Sequence, residues 1–389
     1  MQQPPAQEQE SHVIQQSWDE SAARRARIRG CLLGGAIGDA IGNPIEFRSL
    51  SGIREAYGQP GVTGFVPDDS GVAGRITDDT QMTLFTAEGL IRAHALASAE
   101  GAGGAVITVI RRAYLRWLDT QNYPEPPHQR TPEDIGRSGW LRTHPWLYAR
   151  RAPGNACLSG LLEGHIPAVD APLYGGPGPV NGGSKGCGTV MRSAPFGLTG
   201  LPARDCFELS ARCAQITHGH PTGYLAAGAL AAIVAYLLEG DSLEGATLRT
   251  LEILRGYPRH EETVTALRRA VDLAAGGNPT AEKVESLGGG WIAEEALAIG
   301  VYAALAAPSL PAALLLSVNH SGDSDSTGAI CGNLLGVHHG DLRLPPSWLA
   351  QVEGRGTIAE LADDFASVFH PSAEQHDATV FPQDRYPLS

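Results

Sequence analysis

From position 22 onward the apolar residues of this chain recur three and four apart, over 22–37, 81–94, 106–118, 203–215, 222–238, 243–254, 261–274, 293–305 and 326–336. That spacing gathers them on one face of a helix, whereas a half-buried strand needs them at every second position. Convincing period-two segments are scarce, so the pattern predicts an all-α, compact single-domain helical fold. Alanine and glycine inside these segments permit close helix packing. The apolar run YLAAGALAAIVAYLL at 224–238 falls short of a bilayer span and lies between polar segments. It reads as a buried core helix, and no membrane partner is expected.

The polar, Gln-rich stretch over 1–20 offers little to bury and lacks the apolar core of a signal peptide. The expected organisation is a flexible N-terminal tail over 1–20, one domain over 21–372 and a C-terminal tail over 373–389. The longest irregular connection, 122–195, carries many prolines and glycines, the signature of a functional or a disordered segment. With 29 Lys and Arg against 42 Asp and Glu, the net charge is −13 and no basic stripe is found, so no nucleic-acid partner is expected. The cluster Arg24, Arg25, Arg27 and Arg29 reads as the solvated face of the first helix, with partner docking as the alternative. Six cysteines without a C-x-x-C pair fit reduced thiols and a cytoplasmic location.

Two short stretches concentrate oxygen ligands. In RITDDTQMTLFTAEGL, Thr77, Asp78, Asp79 and Thr80 precede an amphipathic helix; in NHSGDSDSTGAICGNLL, Asp323, Asp325 and Ser326 do the same. A helix cap explains either stretch alone, because Asp, Ser and Thr accept hydrogen bonds from free N–H groups at the positive end of the helix. One cap, however, does not need two adjacent carboxylates, which repel unless solvent or a cation neutralises them. Clusters of carboxylate and hydroxyl without His or Cys suit hard cations such as Mg²⁺, Mn²⁺ or Ca²⁺. If the two clusters face one another, a two-metal site offsets their charge.

A third stretch, LYGGPGPVNGGSKGCGTVMRSAPFGL, contains glycines that let backbone N–H groups approach an anion, although the Walker spacing is absent and a flexible connection is an equal reading. A fourth, QITHGHPTGYLAAG, places His218 and His220 before an apolar helix. Pairing Cys187 with His218 as nucleophile and base is a weaker reading, since nothing in the spacing requires it.

Taken together, GCLLGGAIGDAIGNPIEF, ITDDTQMTLFTAEGL, SKGCGTVMRSAPFGL, ITHGHP and HSGDSDSTGAICGNLLG resemble, in order, the motifs of the ADP-ribosylglycohydrolase family. The resemblance implies an all-α hydrolase with two Mg²⁺ (or Mn²⁺) ions, held by Thr77, Asp78, Asp79, Asp323, Asp325 and Ser326. It places Glu46 near the metals, and Glu46, Asp79 and Asp323 become the candidates for guiding water. Gly183, Ser184, Gly186, Cys187, Gly188 and Thr189 would hold the pyrophosphate, with His218 near the bound ADP-ribose. The family often has G-N-G where this chain has Gly186, Cys187 and Gly188, which puts side-chain contacts there in question but leaves the backbone cradle. The implied partner is an ADP-ribosylated protein or ADP-ribose itself. ADP-ribosyl-arginine is the first expectation for the linkage, with ADP-ribosyl-serine and O-acetyl-ADP-ribose as alternatives. A non-hydrolytic alternative is an immunity protein that occludes an ADP-ribosyltransferase toxin, with 1–20 as the occluding arm.

Overall fold

The antiparallel pairing of two helices, Ala6–Gly42 and Ser324–His339, organises the chain. The computed structural model describes residues 6–100, 105–127, 138–371 and 384–387. Glycines stand every fourth residue on both helices: Gly30, Gly34, Gly38 and Gly42 against Gly336, Gly332, Gly328 and the Ser324 backbone. A Cβ built at Gly38 would fall 1.9 Å from the Gly328 carbonyl oxygen, and one at Gly332 would fall 2.0 Å from that of Gly34. The backbones therefore touch directly, an approach that no larger residue permits. Because the pairing is antiparallel, it sets the end of the first helix beside the start of Ser324–His339.

Among the described residues the structure is all-α, with two isolated bridges, Pro67 to Ala73 and Gly186 to Ile292, as its only extended pairings. Pro221–Leu238 is the centre of the core. It is long and apolar enough to cross a membrane, but it is buried against Ala203–Ala214, Leu243–Leu254 and Ala293–Ala306. Its start is fixed by Pro221, which needs no N–H there, and by the His220 ring, whose Nδ1 accepts the Thr222 N–H at 3.2 Å. Asp78–Glu100 packs on Val106–Asn122 and on Arg355–Phe369.

Three expectations change. Residues 6–20 continue the first helix rather than forming a tail, in keeping with a run rich in Gln, Glu, Ala and Arg that has no Gly or Pro from 6 to 29. Residues 1–5 of the expected tail lie outside the described residues. In the expected C-terminal tail, residues 373–383 and 388–389 lie outside them, but 384–387 dock on the domain. Tyr386 is fully buried and donates to Asp364 at 2.7 Å, and Arg385 pairs with the same carboxylate at 2.8 Å. The arginine cluster is also committed internally. Arg29 grips Asp363 with two bonds of 2.6 Å, Arg24 pairs with Glu239 at 3.0 Å, and Arg27 donates to the Leu237 and Leu238 carbonyls. Those contacts tie the first helix to Arg355–Phe369 and to the end of the core helix. They leave the docking alternative for the cluster without support.

Candidate functional site

A cleft of about 720 Å³ opens where the two glycine-zippered helices meet the start of Asp78–Glu100. Glu46 reaches it from the short turn after the first helix, its N–H held by the Gly42 carbonyl at 3.0 Å. Asp78 and Asp79 come from the first turn of their helix, and Asp323, Asp325 and Ser326 from the start of Ser324–His339. Asp323 serves its helix and also the cleft. It caps its helix by accepting the Ser326 N–H at 3.3 Å, and it also faces the cleft. Oxygens of Glu46, Asp323 and Asp325 lie within 4.8 Å of one another.

So many buried carboxylates resist ionisation. Burial, followed by the charges of Asp325, Asp323 and Asp78, pushes Glu46 up to about 11. Burial and then Asp325 push Asp78, Asp79 and Asp323 well above the usual carboxylate range. Asp79 Oδ2 is buried without a hydrogen-bond partner, an acceptor left pointing at nothing among the described residues. An all-oxygen donor set with a spare buried acceptor fits a hard divalent cation.

A carboxyl group raised in the folded state binds a proton more tightly there than in the unfolded chain. Its contribution to stability is complete below the unfolded value, 4.5 for Glu46, and is lost as pH rises toward about 11. In EDTA, the melting temperature is therefore expected to fall as pH is raised from about 6 to about 8, and saturating Mn²⁺ is expected to flatten that slope. A melting temperature that rose over that interval in EDTA would refute the crowding of charge.

Asp39, absent from the expected site residues, organises one wall. Fully buried, it accepts the N–H of Thr77 at 3.0 Å, the N–H of Thr80 at 3.1 Å and the Thr80 hydroxyl. A carboxylate inside the Gly- and Ala-rich GDA stretch was the available signal. Burial first, then Asp325, raises it to about 7. Thr77 itself lies behind the wall, fully buried, with its hydroxyl accepting the Asp79 N–H at 3.3 Å.

Away from the acids, the cleft is lined by Ser184, Gly186, Cys187, Gly188 and His218, and by Asn155 and Ala156 at the start of the helix Asn155–Glu163. That helix lies inside the connection expected to be irregular. The Gly154 backbone bonds Asp78, which joins the two ends of the site. Gly183 and Thr189 are off the cleft wall. Thr189 is buried and donates to the Gly223 carbonyl at 2.9 Å, pinning the loop to the core helix. Two amides of the expected cradle are already engaged, Ser184 N–H with Asn181 at 2.8 Å and Cys187 N–H with Trp291 at 3.1 Å. The Cys187 thiol donates to Asp323 at 2.7 Å, and burial, then Asp323, pushes it well above its usual value. That is the opposite of an activated nucleophile.

Two aromatics complete the rim. Phe47 and Trp291 stack with centroids 5.1 Å apart, and Phe47 holds a φ of 67°, a left-handed conformation that a bulky residue rarely adopts. A second groove of about 440 Å³ shares Glu46, Phe47, Arg150 and Ala152 with the cleft and continues past Arg48, Asp68, Asp69 and Arg75. Nothing in the sequence pattern joins Phe47 to Trp291, since only the fold brings their segments together.

Comparison with known proteins matches residues 20–375 to a family model described as ADP-ribosylglycohydrolase. The ADP-ribosyl-[dinitrogen reductase] glycohydrolase of Rhodospirillum rubrum is 25% identical over 84% of this chain and 90% of its own length. The ADP-ribosylarginine hydrolase Tri1 of Serratia proteamaculans is 26% identical over 87% of this chain and 78% of its own. A solved structure described as an ADP-ribosylglycohydrolase-related protein complex superposes with a TM-score of 0.59 at 24% identity, over 90% of this chain and 99% of that one.

Proposed function

This chain belongs to the ADP-ribosylglycohydrolase family and is a hydrolase that removes ADP-ribose; from that premise we propose that it acts on ADP-ribosyl-arginine in proteins, using two Mg²⁺ or Mn²⁺ ions. The observation that carries the reading is the meeting, in one cleft, of five carboxylates (Glu46, Asp78, Asp79, Asp323, Asp325) with a glycine cradle at the other end. Acids at one end suit a cation-bound ribose, and small residues with a helix start at the other suit a diphosphate. The arginine linkage is favoured by the Serratia relative, whose name specifies it.

Asp78, Asp79, Asp323, Asp325 and Ser326, which line the cleft, would hold the cations, with Thr77 behind them holding the Asp79 N–H. Bound there, the ions would offset the carboxylate charge, fix the vicinal hydroxyls of the distal ribose and acidify a water. Glu46 stands at the junction of the cleft with the second groove, where the bond to the leaving group has to lie. Glu46, Asp79 or Asp323 takes the proton of the attacking water as its oxygen bonds to C1″ and the C1″–N bond opens through an oxocarbenium-like state. The same carboxyl group passes that proton to the departing guanidine nitrogen, which leaves through the groove beside Arg48, Asp68 and Asp69.

At the other end, Gly186, Gly188, Ser184 and the first turn of Asn155–Glu163 hold the diphosphate. Gly188 must stay small, since a Cβ there would lie 2.6 Å from the Cys157 sulfur and 3.2 Å from the His218 ring. Gly188→Ala is expected to raise the Kd for ADP-ribose about tenfold by isothermal titration, the equivalent of one lost hydrogen bond. An unchanged Kd would remove the loop from the binding site.

All six cysteines are free, which supports the cytoplasm as its location. The linkage is tested by incubating the protein and Mg²⁺ with arginine-modified protein, serine-modified protein and O-acetyl-ADP-ribose in parallel. Fastest release from the arginine adduct is expected. Faster release from either other substrate would overturn the arginine assignment, and persistence of all three with metal bound would favour a binding protein that occludes a toxin.

A further inference from the structure

Four arginines among the described residues lie buried in the body of the fold; Arg92 donates to the Ser138 and Pro387 carbonyls, and two others sit on carboxylates. Arg116 pairs with Glu88 at 2.8 Å and Arg142 with Asp119 at 2.8 Å. Arg192, 1% exposed, has no such ion pair among the described residues. Its guanidinium lies over the Tyr114 ring, 4.5 Å from the centroid, and Nη1 faces the sulfurs of Met82 at 3.7 Å and Cys157 at 3.5 Å. A buried cation without a counter-charge is costly, and a tyrosine face and two sulfurs offset only part of that cost.

Its one strong hydrogen bond leads toward the cleft. Arg192 Nη2 donates to the Thr217 hydroxyl oxygen at 2.6 Å, so the hydroxyl proton is free to be given elsewhere. Two acceptors compete for it, His218 Nδ1 at 2.8 Å and the Ala214 carbonyl at 3.4 Å. The shorter contact wins, which makes Nδ1 an acceptor and leaves the imidazole proton on Nε2. Nε2 is the nitrogen turned to the glycine loop: a Cβ on Gly186 would lie 3.3 Å from it. Burial, and then the Arg192 charge, lower His218 to about 3, so the ring stays neutral and the tautomer is the property that matters.

We propose that Arg192 and Thr217 are positioning residues that fix His218 as its Nε2–H tautomer, so that the ring donates to the diphosphate of ADP-ribose, whose charge in turn offsets the buried guanidinium. This rests on the placement of the diphosphate at the glycine loop given above. The opposite tautomer would present a lone pair to an anion and repel it. The relay therefore acts on binding and leaves the bond-breaking end of the cleft untouched.

The tautomer can be read without ligand, from the two ring-nitrogen shifts of His218 in ¹⁵N-histidine-labelled protein. An Nε2–H signal is expected in the wild type, with loss of that preference in Thr217→Val and its return in Thr217→Ser. In isothermal titration, Thr217→Val is expected to weaken ADP-ribose binding about tenfold, Thr217→Ser to restore it, and the loss in turnover to lie in KM with kcat within about twofold. Arg192→Met, if it folds, follows Thr217→Val. An Nδ1–H tautomer in the wild type, or equal affinity of wild type and Thr217→Val, would overturn the relay while leaving the ADP-ribose reading intact. A wild type that carries the Nε2–H tautomer but fails to bind ADP-ribose would overturn the ligand assignment, and the diphosphate role with it.

Discussion

Replacing Asp323 with Asn is expected to abolish ADP-ribose release, by roughly 10³-fold or more, and at the same time to raise the melting temperature of the metal-free protein. The two effects have one cause. Asp323 is 3% exposed, and burial together with Asp325 holds it well above the usual carboxylate range. Its charge is therefore unfavourable to the folded chain unless a cation sits beside it. Asn keeps an oxygen for the Ser326 N–H, so the helix cap survives, but it cannot supply the negative ligand. Asp323→Ala makes a useful contrast, since it loses the cap as well, at about 1 kcal/mol, and should gain less stability. Calorimetry in EDTA alongside turnover with Mg²⁺ reads both effects. An Asn variant that kept activity within a few-fold would show that Asp323 is a structural cap and nothing more, and one that melted lower than wild type in EDTA would refute the crowding of charge around it.

The second large effect is on the scaffold. Gly38→Ala is expected to destabilise the protein by about 3 kcal/mol or more, because the new Cβ would lie 1.9 Å from the Gly328 carbonyl oxygen and 2.3 Å from its carbon. Both neighbours are helix backbone, so no side chain can swing away and the two helices have to part. Glu46 follows the first helix in the turn after Gly42 and Asp325 rides on the second, so the opening should also cost activity out of proportion to the fraction unfolded. Gly356→Ala is the matched control. Nothing lies within 4 Å of its Cβ position in the helix Arg355–Phe369, and the change should be neutral or stabilising by up to about 1 kcal/mol. Equal urea midpoints for the two variants would refute the close approach of the helices.

The helix-forming segments were legible in the sequence because a 3.6-residue period is local. Leu243–Leu254 was placed residue for residue, and Ala203–Ala214, Pro221–Leu238, Glu261–Ala275 and Ala293–Ala306 to within one position at each end, whereas the first helix starts at Ala6 rather than at 22 and Leu50–Tyr57, Leu310–Val318 and Arg355–Phe369 were not singled out. The oxygen clusters were legible too, since paired aspartates beside hydroxyls at a helix start need more than capping to explain them. Asn155–Glu163 was missed because its short ACLSG run lies among prolines and glycines that read as loop. The glycine zipper was present as a four-residue spacing in two distant segments, each unremarkable until the backbones met. Asp39, Phe47, Trp291 and the Arg192–Thr217–His218 chain are of the same kind. Each residue is ordinary in its own segment and acquires a role only from a neighbour far along the chain. Tyr386 shows the same limit for packing, being a single aromatic after a polar stretch whose buried slot is built by other helices.

The central claim is that Glu46 after the first helix, Asp323 and Asp325 at the start of Ser324–His339, and Asp78 and Asp79 at the start of Asp78–Glu100 form one divalent-metal site that cleaves ADP-ribose from protein. The most direct measurement is release of free ADP-ribose from arginine-modified protein by one preparation, first as purified with Mg²⁺, then after EDTA, then after Mn²⁺ is restored. Release that stops in EDTA and returns with Mn²⁺ is the expected result. Release that continues at the same rate in excess EDTA would contradict it.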